Sequence, residues 1–169
     1  MPHPSVVFLF SITLLLGYAA LRDAATRTIP NWIAVSIALL GIAARLLGGD
    51  LITSLAAASL LFVGCVLAWS RGWLGGGDAK LAAAFALVPA HGQVVDFVLA
   101  TALAGGLLAL LYLALSWIVP RPAPGPRQGL LARAIKAEAW RMSRCGPLPY
   151  AVAIAAGGIH VLHSPFSIG

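Results

Sequence analysis

The chain has 169 residues, of which 60% are hydrophobic and 9% charged, with a mean hydropathy of +0.94; ordinary soluble domains carry about a quarter charged residues, so that class is excluded. Eleven Lys and Arg against five Asp and Glu leave a net charge of +6. Basic loops beside anionic lipid headgroups account for that excess, so membrane lipid is an expected partner and nucleic acid is not.

A helix needs roughly 20 apolar residues to cross about 30 Å of hydrocarbon. Six stretches qualify as candidates, and none alternates as the strands of a transmembrane barrel would, so the expected fold is all-α and polytopic. The first runs from Pro4 to Leu21. No Lys or Arg precedes it, and cleavage near Tyr18-Ala19-Ala20 would remove a span the topology needs, so it reads as a retained helix rather than a signal peptide. Behind it lies Arg22-Asp23, followed by Arg27-Thr28-Ile29-Pro30-Asn31, where Thr28 is a candidate helix cap and Pro30 suits a first turn. The second and third stretches, Trp32 to Leu47 and Leu51 to Trp69, form one out-and-back hairpin. It delivers the next motif, Gly75-Gly76-Gly77-Asp78-Ala79-Lys80, to the same face as Asp23.

The fourth stretch, Ala79 to Ala90, is short: the 13 residues from Asp78 to Ala90 span roughly 20 Å as a helix. Two readings follow. Either Asp78 is recessed in a small hydrated cavity behind non-helical Gly75-Gly76-Gly77, or the bilayer thins or the span extends through Pro89 to Gln93. The fifth stretch, Val94 to Val119, carries Ala102 and Gly106 at the spacing that lets helices approach closely in lipid. Four prolines between Pro120 and Pro126 make a stiff connector, and Gly129 to Arg144 suits a basic helix lying at the interface. The sixth stretch is Pro147 to Leu162. Five tryptophans, Trp32, Trp69, Trp73, Trp117 and Trp140, fall near predicted span ends, where amphipathic rings favour the headgroup level.

Alternate loops hold ten Lys and Arg, while the remaining ones hold only Arg45. The positive-inside rule then places Asp23 and Asp78 on the cytoplasmic face and both termini on the other side. A single transmembrane domain over residues 1–169 is expected, with a cytoplasmic basic loop and interfacial helix at about 120–146. Cys65 and Cys145 have neither metal-ligand nor disulfide spacing.

Two aspartates among so few acidic residues, each at a span end, suggest paired-carboxylate chemistry. Like charges about 3 Å apart cannot both ionise easily, so such a pair holds one carboxylate ready to activate water and one carboxyl ready to protonate a carbonyl oxygen. The pair would titrate as a unit. Glycines before Asp78 give backbone room and open angles that other residues resist. Plainer readings stand beside this one. Asp23 can be an interfacial carboxylate solvated between Arg22 and Arg27, Asp78 a helix cap, and Arg27 and Lys80 headgroup anchors that at most bias the pair's proton affinity. His160 and His163 lack a nearby acidic ligand, and Asp50 and Asp96 belong to the opposite face.

Asp23-(x)5-Ile29-Pro30-Asn31, Gly75-x-Gly77-Asp78-x-Lys80, and Gly146-Pro147-Leu148-Pro149-Tyr150 followed by Gly157-Gly158 resemble the type IV prepilin peptidases, most closely the short form found with Flp-type, tight-adherence pili. The resemblance covers roughly residues 20–82 and 146–158. It implies an aspartic endopeptidase of the bacterial inner membrane that removes the short basic leader of prepilins at the cytoplasmic face, with Asp23 and Asp78 as catalytic residues. By the same resemblance Arg27, Pro30, Asn31, Gly75, Gly77, Lys80 and Pro149 shape the site or bind substrate. Long family members carry a zinc-binding loop with two Cys-x-x-Cys pairs and also methylate the new amino terminus. Here the segment Arg22 to Asn31 is short and lacks cysteine, so no metal or other cofactor and no methyltransferase activity are expected. Presenilin-type proteases share Gly-x-Gly-Asp but place the other aspartate deep in a span after a Tyr. Two further classes stay open: a transporter or proton channel with the aspartates as ion relay, although the halves show no internal symmetry, and a non-catalytic assembly scaffold.

Overall fold

The computed structural model describes residues 6–118 and 148–164. The described residues form six helices, α1 (Val6–Thr26), α2 (Asn31–Gly48), α3 (Leu51–Ser70), α4 (Gly76–Phe85), α5 (Val94–Ile118) and α6 (Tyr150–His163), with a 3-10 turn at His91–Gln93 before α5. Among the described residues there is no strand. Among the described residues four segments, Val6–Thr26, Asn31–Gly48, Leu51–Ser70 and His91–Trp117, are long and apolar enough to cross a membrane. α4, with 10 residues, and α6, with 14, are shorter, so only four of the six expected spans reach that length.

The chain divides into two compact units, Met1–Ala104 with Pro149–Gly169, and Gly105–Leu148. The described part of the second is the end of α5, where Leu107, Leu110, Leu111 and Leu113 are exposed, as on a helix solvated by lipid. The expected Pro-rich connector, basic interfacial helix, Trp140 and Cys145 lie outside the described residues.

The first unit is organised around α4. This helix is apolar on most sides and is buried accordingly, packed against α2, α3 and α6, while α1 lies along α6. α1 turns one stripe inward: Ile12, Leu16, Ala19 and Asp23, at helical spacing, are its buried residues. Thus Asp23 occupies a core position of the helix. Phe85 of α4 meets Phe97 of α5 with ring centroids 4.7 Å apart. Close approach of α6 depends on its paired glycines. A Cβ at Gly158 would stand 3.0 Å from both Leu16 Cδ1 and Phe85 Cζ, and one at Gly157 would stand 2.7 Å from the Thr101 backbone nitrogen.

Helix ends correct several local expectations. α1 continues past Leu21, through Asp23, because Ala24 and Ala25 favour helix. It stops at Arg27, whose φ of 55° is left-handed and whose N–H donates to the Asp23 carbonyl at 2.9 Å, the αL closure usually made by glycine. Thr28 does not cap α2; its hydroxyl pairs with that of Thr26 at 2.8 Å, and extended Pro30 (φ −61°, ψ 137°) precedes the first helical residue, Asn31. α3 ends in a Schellman motif. Gly72 has φ 75°, its N–H donates to Trp69 O at 2.9 Å, and the Trp73 N–H donates to Ala68 O at 3.0 Å. Gly76 and Gly77 are helical, so the glycine run is the start of α4 rather than a non-helical segment. Trp32, Trp69, Trp73 and Trp117 are all exposed near helix ends.

Candidate active site

Asp23 lies one turn before the end of α1, and Asp78 lies in the first turn of α4. Both are buried, at 6% and 9% relative exposure, which charged groups accept only when partnered or functional. Each carboxylate accepts an N–H from the start of a helix. The Ala151 N–H, in the first turn of α6, donates to Asp23 Oδ2 at 3.3 Å; the Gly75 N–H, just before α4, donates to the Asp78 carboxylate. The first N–H groups of a helix have no partner within it, so its positive end is a ready site for an anion. Oδ1 of Asp78 is buried with no hydrogen bond among the described residues.

The three motifs interlock around this pair. Ile29, from the first, packs on Gly77, from the second, so closely that a Cβ at Gly77 would lie 3.3 Å from Ile29 Cβ. Lys80 Nζ donates to Asn31 Oδ1 at 3.3 Å across the same junction, at the exposed rim. Pro30 sets the chain before α2, and buried Pro149 sets it before α6. Pro149 lies just before α6, and Ala151, two residues on, turns its N–H toward Asp23. Arg27, half-buried and held in the left-handed conformation, directs positive charge at Asp78. A left-handed non-glycine residue costs roughly 1–2 kcal/mol, and such outliers concentrate at functional sites.

Sequence reasoning missed Ala151, which acts only through its backbone, and Ile29 as the surface that demands a glycine at 77. The signal for Ala151 was present, since a Pro-x-Pro followed by a helix leaves unbonded N–H groups. The expected need for unusual glycine angles is corrected. Gly75 is extended (φ −70°, ψ 143°), and its missing Cβ provides space: an added Cβ would be 2.6 Å from Asp78 Oδ2. Asp50, remote from the site, pairs with Arg45 at 3.0 Å.

Asp78 lies outside the four helices long enough to cross a membrane. Burial, then the Asp23 charge, push its carboxyl up from 3.8 to about 6, against the opposing pull of Arg27 and the Gly75 N–H. The folded value exceeds the unfolded one, so the stability this group contributes is complete below about pH 4 and is lost as pH rises through about 6. Asp78→Asn keeps the hydrogen-bond acceptor but not the titration. The unfolding midpoint of the variant should therefore gain on that of the wild type between pH 4 and 7 and hold level above. Parallel midpoints across that range would show that Asp78 ionises as freely in the fold as in the unfolded chain.

A model of the type IV leader peptidase family matches residues 10–110, more than half of the chain and including both aspartates. No curated protein and no solved structure matches it.

Proposed function

Because this chain belongs to the type IV leader peptidase family, we propose that it cleaves the short basic leader from Flp-type prepilins, with Asp23 and Asp78 as the catalytic pair. The observation that carries this reading is the convergence of two buried carboxylates, close enough for one charge to raise the other's proton affinity, each held by the N-terminal N–H of a different helix. A pair sharing one proton supplies both halves of peptide hydrolysis. The ionised carboxylate takes a proton from water as the water oxygen attacks the scissile carbonyl carbon. The protonated carboxyl donates to the carbonyl oxygen. Collapse of the tetrahedral intermediate then returns a proton to the departing amine.

The setting supports this substrate class. A prepilin holds an apolar helix in the bilayer with its basic leader in the cytoplasm, so in this reading its scissile bond comes to the same surface as both aspartates, an orientation that the Lys and Arg asymmetry supports. In this reading α1 to α6 make six passes of the bacterial inner membrane, with α4 and α6 shortened because their N-terminal ends stop at the site. The connection between α1 and α2 is only Arg27 to Pro30. That length supports the short form of the family, without a zinc loop and without methylation of the new amino terminus.

Co-expression with a candidate Flp-type precursor tests the function, read by gel shift and amino-terminal sequencing of the product. Leader removal should occur, leave an unmethylated amino terminus, and persist under zinc chelation. Loss of cleavage on chelation with recovery on added metal would overturn the metal-independent mechanism, and an intact leader would overturn the substrate.

A further inference from the structure

Tyr150 stands at the first position of α6, between buried Pro149 and Ala151, whose N–H binds Asp23. Its ring is half-buried against the core cluster that includes Leu81 and Phe85. The phenol lies within electrostatic range of Asp78, while the backbone N–H of the next residue, Ala151, binds Asp23 at 3.3 Å, so this end of α6 meets both halves of the site. Among the described residues its hydroxyl makes no hydrogen bond. A half-buried hydroxyl in range of the Asp78 carboxylate, with no hydrogen bond among the described residues, is a donor available to a substrate.

A pair that shares one proton has a single donor for the carbonyl oxygen. As water attacks, charge develops on the carbonyl oxygen while the protonated carboxyl donates to it, and a second neutral donor stabilises that charge further. Lys80 is committed to Asn31 at the exposed rim, and Arg27 is directed at Asp78. A phenol is neutral over the working range of carboxylates, yet it donates a hydrogen bond while its ring covers apolar surface. We propose that the Tyr150 hydroxyl is a third catalytic group, donating a hydrogen bond to the carbonyl oxygen of the scissile peptide as that oxygen gains charge. No proton leaves the phenol in this step; the shared proton of the aspartates is the one transferred. This role rests on the peptidase reading above.

Tyr150→Phe deletes only the oxygen, and Tyr150→Leu also removes the ring. With purified full-length enzyme in lipid vesicles and a prepilin substrate, Tyr150→Phe should lose kcat on the order of 100-fold, as removal of one oxyanion donor does. KM should stay within about two-fold, because the bond forms only in the transition state. The unfolding midpoint of Tyr150→Phe should equal that of the wild type, and Tyr150→Leu should be no slower than Tyr150→Phe beyond its own loss of folded protein. Wild-type kcat in Tyr150→Phe, or a midpoint lowered by the Phe replacement, assigns Tyr150 to packing and overturns the proposal. Asp78→Asn measured alongside separates the two readings. If it is inactive while Tyr150→Phe is active, only the hydroxyl role falls; if it is active, the aspartate pair falls and this inference with it.

Discussion

Asp23→Asn and Asp78→Asn should each abolish leader removal while the protein still inserts and folds. Asn preserves the shape of the side chain and an oxygen that can accept the Ala151 or Gly75 N–H. It cannot take a proton from water or give one to a carbonyl oxygen. General acid–base groups each contribute roughly 10²- to 10⁴-fold, and groups that act as one unit are lost as one unit. The double variant should therefore be no worse than either single one. Cleavage in vesicles, with insertion checked by protease accessibility, decides the matter. Substantial processing in either single variant would remove that residue from the chemistry, and an additive loss in the double would mean that the two act in separate steps. The pH behaviour sharpens this expectation: a buried Asp78 raised to about 6 is costly to ionise, so Asp78→Asn should gain stability at neutral pH while losing activity.

Both aspartates and the three motifs were legible in the sequence because each motif combines residue types with strong local consequences. Proline, glycine and charge at the end of an apolar run mark a helix boundary whatever the fold. The helix boundaries themselves were less legible. α1 was expected to end at Leu21 because Arg22 and Asp23 look like interfacial charge, yet Asp23 continues the stripe of Ile12, Leu16 and Ala19 into the core. Polarity read along the chain cannot show that a carboxylate has a helix N-terminus waiting for it 128 residues later. Backbone donors such as Ala151 carry no mark in their residue type. The glycines were half legible for a related reason: sequence shows that Cβ is missing, which allowed both room and unusual angles, but not that room alone is used here.

Gly75→Ala tests that distinction and should be the most damaging conservative change outside the aspartates. At φ −70° and ψ 143° alanine fits the backbone without strain, so the substitution has little reason to unfold the protein. Its methyl, however, would fall 2.6 Å from Asp78 Oδ2 and 3.5 Å from Cγ. The atom in the way is the end of a mobile side chain, so the carboxylate gives way and the fold does not. A misplacement of about 1 Å at a reacting group can cost on the order of 100-fold in rate, and the Gly75 N–H bond that orients Asp78 is lost with it. Gly76 provides the internal comparison. A Cβ there meets Trp69 Nε1 at 3.4 Å, an ordinary contact, so Gly76→Ala should cleave at close to the wild-type rate. Gly77→Ala falls between them, since its Cβ would press on Ile29 Cβ at 3.3 Å and tilt the junction between motifs more than the carboxylate itself. The expected order of cleavage rates, Gly76→Ala above Gly77→Ala above Gly75→Ala with nearly equal unfolding midpoints, derives the Gly-x-Gly-Asp spacing from steric contacts. Equal losses at 75 and 76 would mean that flexibility of the run, rather than room for the Asp78 carboxylate, is what the glycines supply.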